Sequence, residues 1–129
     1  MAIEDISRGV RSVLHLPFPL SVNKTRRVDW RNAHKARRWV QQADQLVMTQ
    51  KPLVRLTGAF EIEVLLDEHH GELDPDNGLK ILIDYLRRIE IIVDDSKRYF
   101  RRLVVEWGDA PHGCKVTVIP YVSRQTPSG

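Results

Sequence analysis

The sequence is short of cysteine, of long apolar runs and of internal repeats, and each shortage excludes something. A single cysteine, Cys114, stands among 129 residues, so no internal disulfide forms and a reducing, cytoplasmic setting is expected. Cys114 reads as a small strand residue, because no His/Asn pattern accompanies it to make a thiol nucleophile. No apolar stretch approaches the roughly 18 residues that a membrane span requires, and no signal-peptide pattern opens the chain. No repeat and no linker divides it. What is there is ordinary for one compact domain: 42% hydrophobic and 29% charged residues. A chain of this length buries roughly 65–70% of its unfolded surface, enough for one core and not two.

The net charge is only +3, but its distribution is uneven. Residues 1–55 hold 11 Lys/Arg against 4 Asp/Glu, and residues 56–129 hold 9 against 13. A basic first half and an acidic second half suit a protein that grips a polyanion and keeps carboxylates for other work.

The hydrophobic pattern predicts β-α-β-α-β-β, an α+β domain in which a mixed sheet carries two helices. Residues 1–12 read as a frayed extension and 123–129 as a disordered tail. Val13–Leu16 reads as a strand halted by Pro17-Phe18-Pro19, followed by a polar, basic loop. From Asp29 a helix is predicted, with Trp30, Ala33, Ala36, Val40, Ala43 and Val47 inward, ending at Lys51-Pro52. Arg31, Lys35 and Arg38 fall on its opposite face with His34 beside them. Residues 24–38 hold seven Lys/Arg and one acid, without the alternating acid–base pairs of a helix that is merely solvated. Gly58–Leu66 alternates with period 2, with Phe60, Ile62, Val64 and Leu66 on the inner face. An acidic loop leads to a second helix with Leu79, Leu82, Ile83 and Leu86 inward. Two more strands, near 98–107 and 115–122, are joined by a Gly108–Gly113 turn segment.

The residues that carry chemistry centre on Asp74-Pro75-Asp76-Asn77 at the mouth of the second helix, with Asp94-Asp95 after it. Asp76, Lys80 and Asp84 are spaced i, i+4, i+8 and share one helical face. If the chain after the helix folds back, Asp95 joins Asp74 and Asp76. Three carboxylates in one cleft repel unless a cation sits among them, and hard oxygen ligands favour Mg²⁺ or Mn²⁺ over zinc. Such a metal polarises a phosphoryl oxygen and lowers the pKa of a bound water, while an adjacent lysine stabilises the developing phosphorane charge. Asp-x-Asp also occurs in metal-dependent glycosyltransferases, and Asp74-Pro75-Asp76 also serves as a turn and helix cap. The residues alone do not choose. An EF-hand fails, because its glycine comes one position early and its twelfth position is Tyr85. His69-His70 reads as a pair of loop residues, since adjacent histidines point in different directions and no Cys or further His lies at zinc-ligand spacing.

At these residues the sequence resembles the RusA family of Holliday junction resolvases. Three blocks carry the likeness across roughly residues 13–122. Leu14–Asn23 resembles the family's opening strand and Pro-x-Pro-x-Ser-x-Asn turn. Asp74-Pro75-Asp76-Asn77-Gly78-Leu79-Lys80 resembles the Asp-x-Asp-Asn-x-x-Lys helix. Val93-Asp94-Asp95 followed by Leu103-Val104-Val105 resembles the Asp-Asp turn and its strand.

The resemblance implies a homodimer that binds four-way DNA by shape and nicks two strands symmetrically with Mg²⁺, Mn²⁺ substituting, in recombination and repair in a bacterial or phage-infected cell. It implies metal binding by Asp74, Asp76 and Asp95, a catalytic Lys80, and an Asp94 that supports its neighbour. Asn23, Lys24, Arg26, Arg27, Arg31, Lys35 and Arg38 would form the DNA surface. Two departures stand out: the loop before Asp74 is His-His-Gly-Glu-Leu where the family is often basic, and Leu20 and Val22 replace more usual turn residues. A DNA-binding protein without catalysis, its acids serving as caps, is the alternative from a different class.

Overall fold

The computed structural model of the chain describes residues 11–19, 30–50, 55–70 and 75–122, with 30–33 and 75–77 described by backbone alone. The element order is β1 (Ser12–Leu16), α1 (Trp30–Met48), β2 (Phe60–Asp67), α2 (Pro75–Arg88), β3 (Phe100–Gly108) and β4 (Cys114–Pro120). This is the expected β-α-β-α-β-β domain, with a mixed four-stranded sheet and two helices.

The sheet order is β1-β4-β2-β3. β4 runs antiparallel to both β1 and β2, whereas β2 and β3 are parallel. A parallel pair needs a crossover, and α2 supplies it. β3 and β4 follow each other in sequence but are not neighbours. Their connection passes over the end of β2, where Asp67 N–H donates to the Gly113 carbonyl and Glu68 N–H to that of Gly108.

Period-2 patterning puts one apolar row from each strand on the same face. Leu14 and Leu16, Val116 and Val118, and Phe60, Ile62, Val64 and Leu66 are all buried there, in one cluster with Trp39 and Ala43 of α1 and Leu82, Tyr85 and Leu86 of α2. Each such side chain contributes about 1.5–3 kcal/mol of burial. The helices touch through an edge-on contact of Trp39 with Tyr85, centroids 5.4 Å apart, and through the Tyr85 hydroxyl donating to Asp44 Oδ1 at 2.7 Å. Burial, then that carboxylate, raises the Tyr85 pKa.

The inward face of α1 is rotated from the one periodicity predicts. Trp39 is 2% exposed and Ala43 fully buried, while Val40 and Val47 are only partly covered. A large indole one position off the stripe wins the burial, and Lys35 and Arg38 come to flank it. At the C-terminus of α1, Gln50 offers its amide to β1 as a strand would: it accepts from His15 N–H and donates to the His15 carbonyl, both at 2.9 Å. That closes part of an open sheet edge. Among the described residues no helix is long and apolar enough to cross a membrane.

Candidate nucleic-acid interface and metal segment

The ends of β1, β2 and β3 and the start of β4 lie at the same end of the sheet, because β4 is antiparallel to β1 and β2 while β3 is parallel to β2. The Pro17–Pro19 turn, residues 68–70 after β2 and the β3–β4 turn therefore gather there, together with the N-terminus of α2. The Pro17–Pro19 turn is held from several sides. The Trp39 indole N–H donates to the Pro17 and Phe18 carbonyls at 3.3 and 3.0 Å, and the Cys114 thiol reaches the Pro17 carbonyl at 3.5 Å. Gly113 adopts φ +131°, and a Cβ built on it would collide with the backbone of Pro17 and Phe18. Only glycine lets the β3–β4 turn pass this close. Burial pushes the Cys114 thiol up to about 12, so it is a packed, protonated group and not a nucleophile.

Above this floor is a groove of about 500 Å³, lined by Pro17, Phe18, Lys35, Arg38, Trp39, Gln42, His70 and His112. The Phe18 ring stacks on His70, with centroids 4.3 Å apart and planes 11° apart, and lies 6.3 Å from the ring of Trp107. Lys35 and Arg38 are exposed on the facing helix. None of the ion pairs among the described residues uses either of them. Behind His112 lies His15, ring centroids 5.4 Å apart. Burial, then the neighbouring His112 and Lys115, hold the His15 imidazole below its ordinary value.

The adjacent histidines point apart, as the backbone of such a pair requires. His70 turns to Phe18, while His69 Nε2 lies 3.7 Å from Glu68 Oε1. His69 also shares a cluster with Asp67 and Asp109, whose ligand atoms all lie within 4.8 Å of one another. Sequence spacing conceals this cluster, because Asp109 comes from the far side of β3.

Of the metal segment, Asp74 lies outside the described residues, and Asp76 is placed by its backbone in the first turn of α2. Lys80, one turn on, is exposed and joins no ion pair among the described residues. Asp95 lies at the other end of the helix. It precedes β3 and sits 3.7 Å from Arg87 Nη1, and Arg87 follows Asp76 by eleven residues, about 16 Å along a helix axis. Asp94 Oδ1 accepts the Asp95 N–H at 2.8 Å. Hydrogen bonds from the Ser96 side chain and the Asp95 backbone hold the Asp94 carboxyl below the usual range. Asp94 thus fixes the backbone of its neighbour. Asn23, Lys24, Arg26 and Arg27 lie outside the described residues, and Arg31 is placed in α1 by backbone alone.

Lys35, Arg38 and Lys80 stood out in the sequence by charge and spacing. Phe18, Trp39, Trp107 and His112 did not stand out as groove neighbours, because no spacing links them. Compared with protein-family models and with curated proteins, the chain gives no match.

Proposed function

We propose that the chain is a Mg²⁺-dependent endonuclease of branched DNA that acts on four-way junctions as a homodimer. The observation that carries this reading is the shared location of two features. The N-terminus of α2, with Asp76 in its first turn and the exposed Lys80 one turn on, opens at the same end of the sheet as the groove bearing Lys35 and Arg38. Cations to hold the DNA backbone and an acid–lysine pair to act on it thus share one end of the sheet. Asp74 and Asp76 would hold the metal, which on binding supplies a polarised phosphoryl oxygen and an activated water. Lys80 would stabilise the charge that develops on the phosphate.

Asp95 completes the set by a less direct route. Within one protomer it belongs to the Arg87 end of α2. A second copy with its α2 antiparallel to the first would bring each Asp95 to the Asp74–Asp76 end of the other, giving two equivalent sites by symmetry. Two equivalent sites are what paired nicks require. The Arg87 contact is long and half exposed, so releasing Asp95 to a cation costs little.

Nicking of junction DNA with the Asp76→Asn variant tests the reading. Cleavage falls at least ~10²-fold while binding holds or tightens, because one negative charge near phosphate is gone. Mixing Asp76→Asn with Asp95→Asn protein restores part of the activity if the site is shared between copies and none if each copy carries a whole site. Salt-sensitive binding with no metal-dependent product from the unaltered protein would instead establish the non-catalytic alternative.

A further inference from the structure

We infer that the groove between the Pro17–Pro19 turn and α1 is a subsite for one unpaired nucleotide of the DNA, its base stacked on His70 and its phosphate held by Lys35 and Arg38. This rests on the nuclease reading only for the identity of the polymer; the stacking and charge are features of the groove itself. Its volume, about 500 Å³, falls within the roughly 300–1,000 Å³ of small-molecule sites.

The groove joins two kinds of wall. One is a π surface: Phe18, half buried, stacks at 4.3 Å on His70, which is exposed. Among the described residues no second ring stacks on this exposed imidazole, so a planar base added on the side away from Phe18 would extend the stack to three rings. The opposite wall carries Lys35 and Arg38, with no acidic partner among the described residues. A ligand that joins a planar ring to an anion suits both walls, whereas an apolar ligand would meet two cations without compensation. A base within a duplex has both faces covered by its neighbours, so only an unpaired nucleotide can present one.

The π wall is also built to stay in place. Trp39 donates to both carbonyls beneath Phe18, and Gly113 leaves no room for the turn to shift inward. Such preorganisation lowers the ordering cost of binding. His70 lies four residues before Asp74 in the sequence. A junction interrupts base stacking at its branch, where a pair that opens leaves a nucleotide unpaired. The groove would then help select branched over linear DNA.

The test uses 2-aminopurine placed unpaired at the branch of a junction, with EDTA present so that cleavage does not intervene. Binding of the full chain is expected to quench the probe severalfold, as stacking does, and to leave a paired 2-aminopurine in a linear duplex unchanged. His70→Ala, an exposed position, should abolish the quench and weaken junction binding roughly tenfold. Phe18→Ala should do the same. Should it prove unstable, His70→Ala decides alone. Lys35→Glu with Arg38→Glu should weaken binding and reduce the salt dependence by about two ions. A quench that survives His70→Ala, equal quenching of the paired probe, or no quench at all would overturn the subsite. If the quench behaves as expected but Mg²⁺ yields no nicks, the nuclease reading fails and the subsite stands. Nicking without a quench removes the subsite and leaves the nuclease reading intact.

Discussion

At one end of the sheet a proline turn is pinned by an indole, a buried thiol and a glycine that leaves it no space; at the other, the chain enters β3 through exposed polar contacts. The first end fixes the backbone of Pro17 and Phe18 through Trp39, Cys114 and Gly113. The second relies on the Arg87–Asp95 pair at 3.7 Å, with both side chains nearly half exposed, and on Asp94 holding its neighbour's N–H. The contrast locates where this fold is rigid and where it can exchange partners. Under the proposed function, a stacking wall would gain from being immobile, whereas a carboxylate exchanging an arginine for a metal would gain from a weak hold.

The C-terminus of α2, beside Asp95, adds to the contrast. It ends in a Schellman motif: Ile91 N–H donates to the Leu86 carbonyl and Glu90 N–H to that of Arg87, with Ile91 and Leu86 both buried. The residue in the left-handed position is Glu90, φ 64°, where glycine would be relaxed. The far end thus carries a strained turn in addition to weak ion pairing.

The greatest loss should come from breaking the rigid end. Gly113→Ala forces a methyl group into the Phe18 backbone and should cost about 3 kcal/mol, read as a fall in the thermal midpoint. A cost under about 1 kcal/mol would mean that the turn is free to move. Next comes the Cys114 thiol, raised from an ordinary value of 9.0 to about 12. The folded state keeps the proton that the unfolded state loses, so its stabilising contribution is full below about pH 9 and is lost as pH rises towards 12. Relative to Cys114→Ala, the protein should lose about 1.4 kcal/mol between pH 7 and pH 10. Parallel stability curves for the two proteins would show the thiol to be less enclosed than its packing implies.

At the loose end the effects are smaller. Glu90→Gly should stabilise by about 0.5–1 kcal/mol, since it removes left-handed strain and a negative charge from a helix C-terminus; a loss of stability would refute the strain. Arg87→Ala should change stability by no more than about 0.5 kcal/mol in denaturant titration. A larger loss would mean that the Asp95 contact holds the fold and is not free to serve a cation.

Much of the architecture was legible in the sequence because it follows from local periodicity. Phe60, Ile62, Val64 and Leu66 alternate inward as period 2 requires, and Leu82 and Leu86 meet the core one turn apart. The Asp-Pro-Asp segment announced the entry to α2. Less was legible where one bulky side chain outweighs a stripe of small ones. Trp39 lies off the row of alanines and valines, yet it takes the core and rotates α1. Strand neighbours were also hidden. β3 and β4 look like a hairpin in sequence, but β4 crosses to the other side of β2, and no local signal encodes that choice. The groove is legible only in three dimensions, since Phe18, Trp39, His70 and His112 come from four separate segments. Asp95 stood out by type and spacing, but its place did not: the parallel β2–α2–β3 crossover sets it beside Arg87 at the C-terminal end of α2.

Whether this chain cuts branched DNA with a divalent metal is decided by incubating it with a synthetic four-way junction and, in parallel, a linear duplex of matched sequence. Each substrate is taken with and without Mg²⁺. Paired, symmetric nicks should form in the junction alone and only with the metal present. Equal cutting of both substrates, or no cutting with either Mg²⁺ or Mn²⁺, would contradict the proposed function.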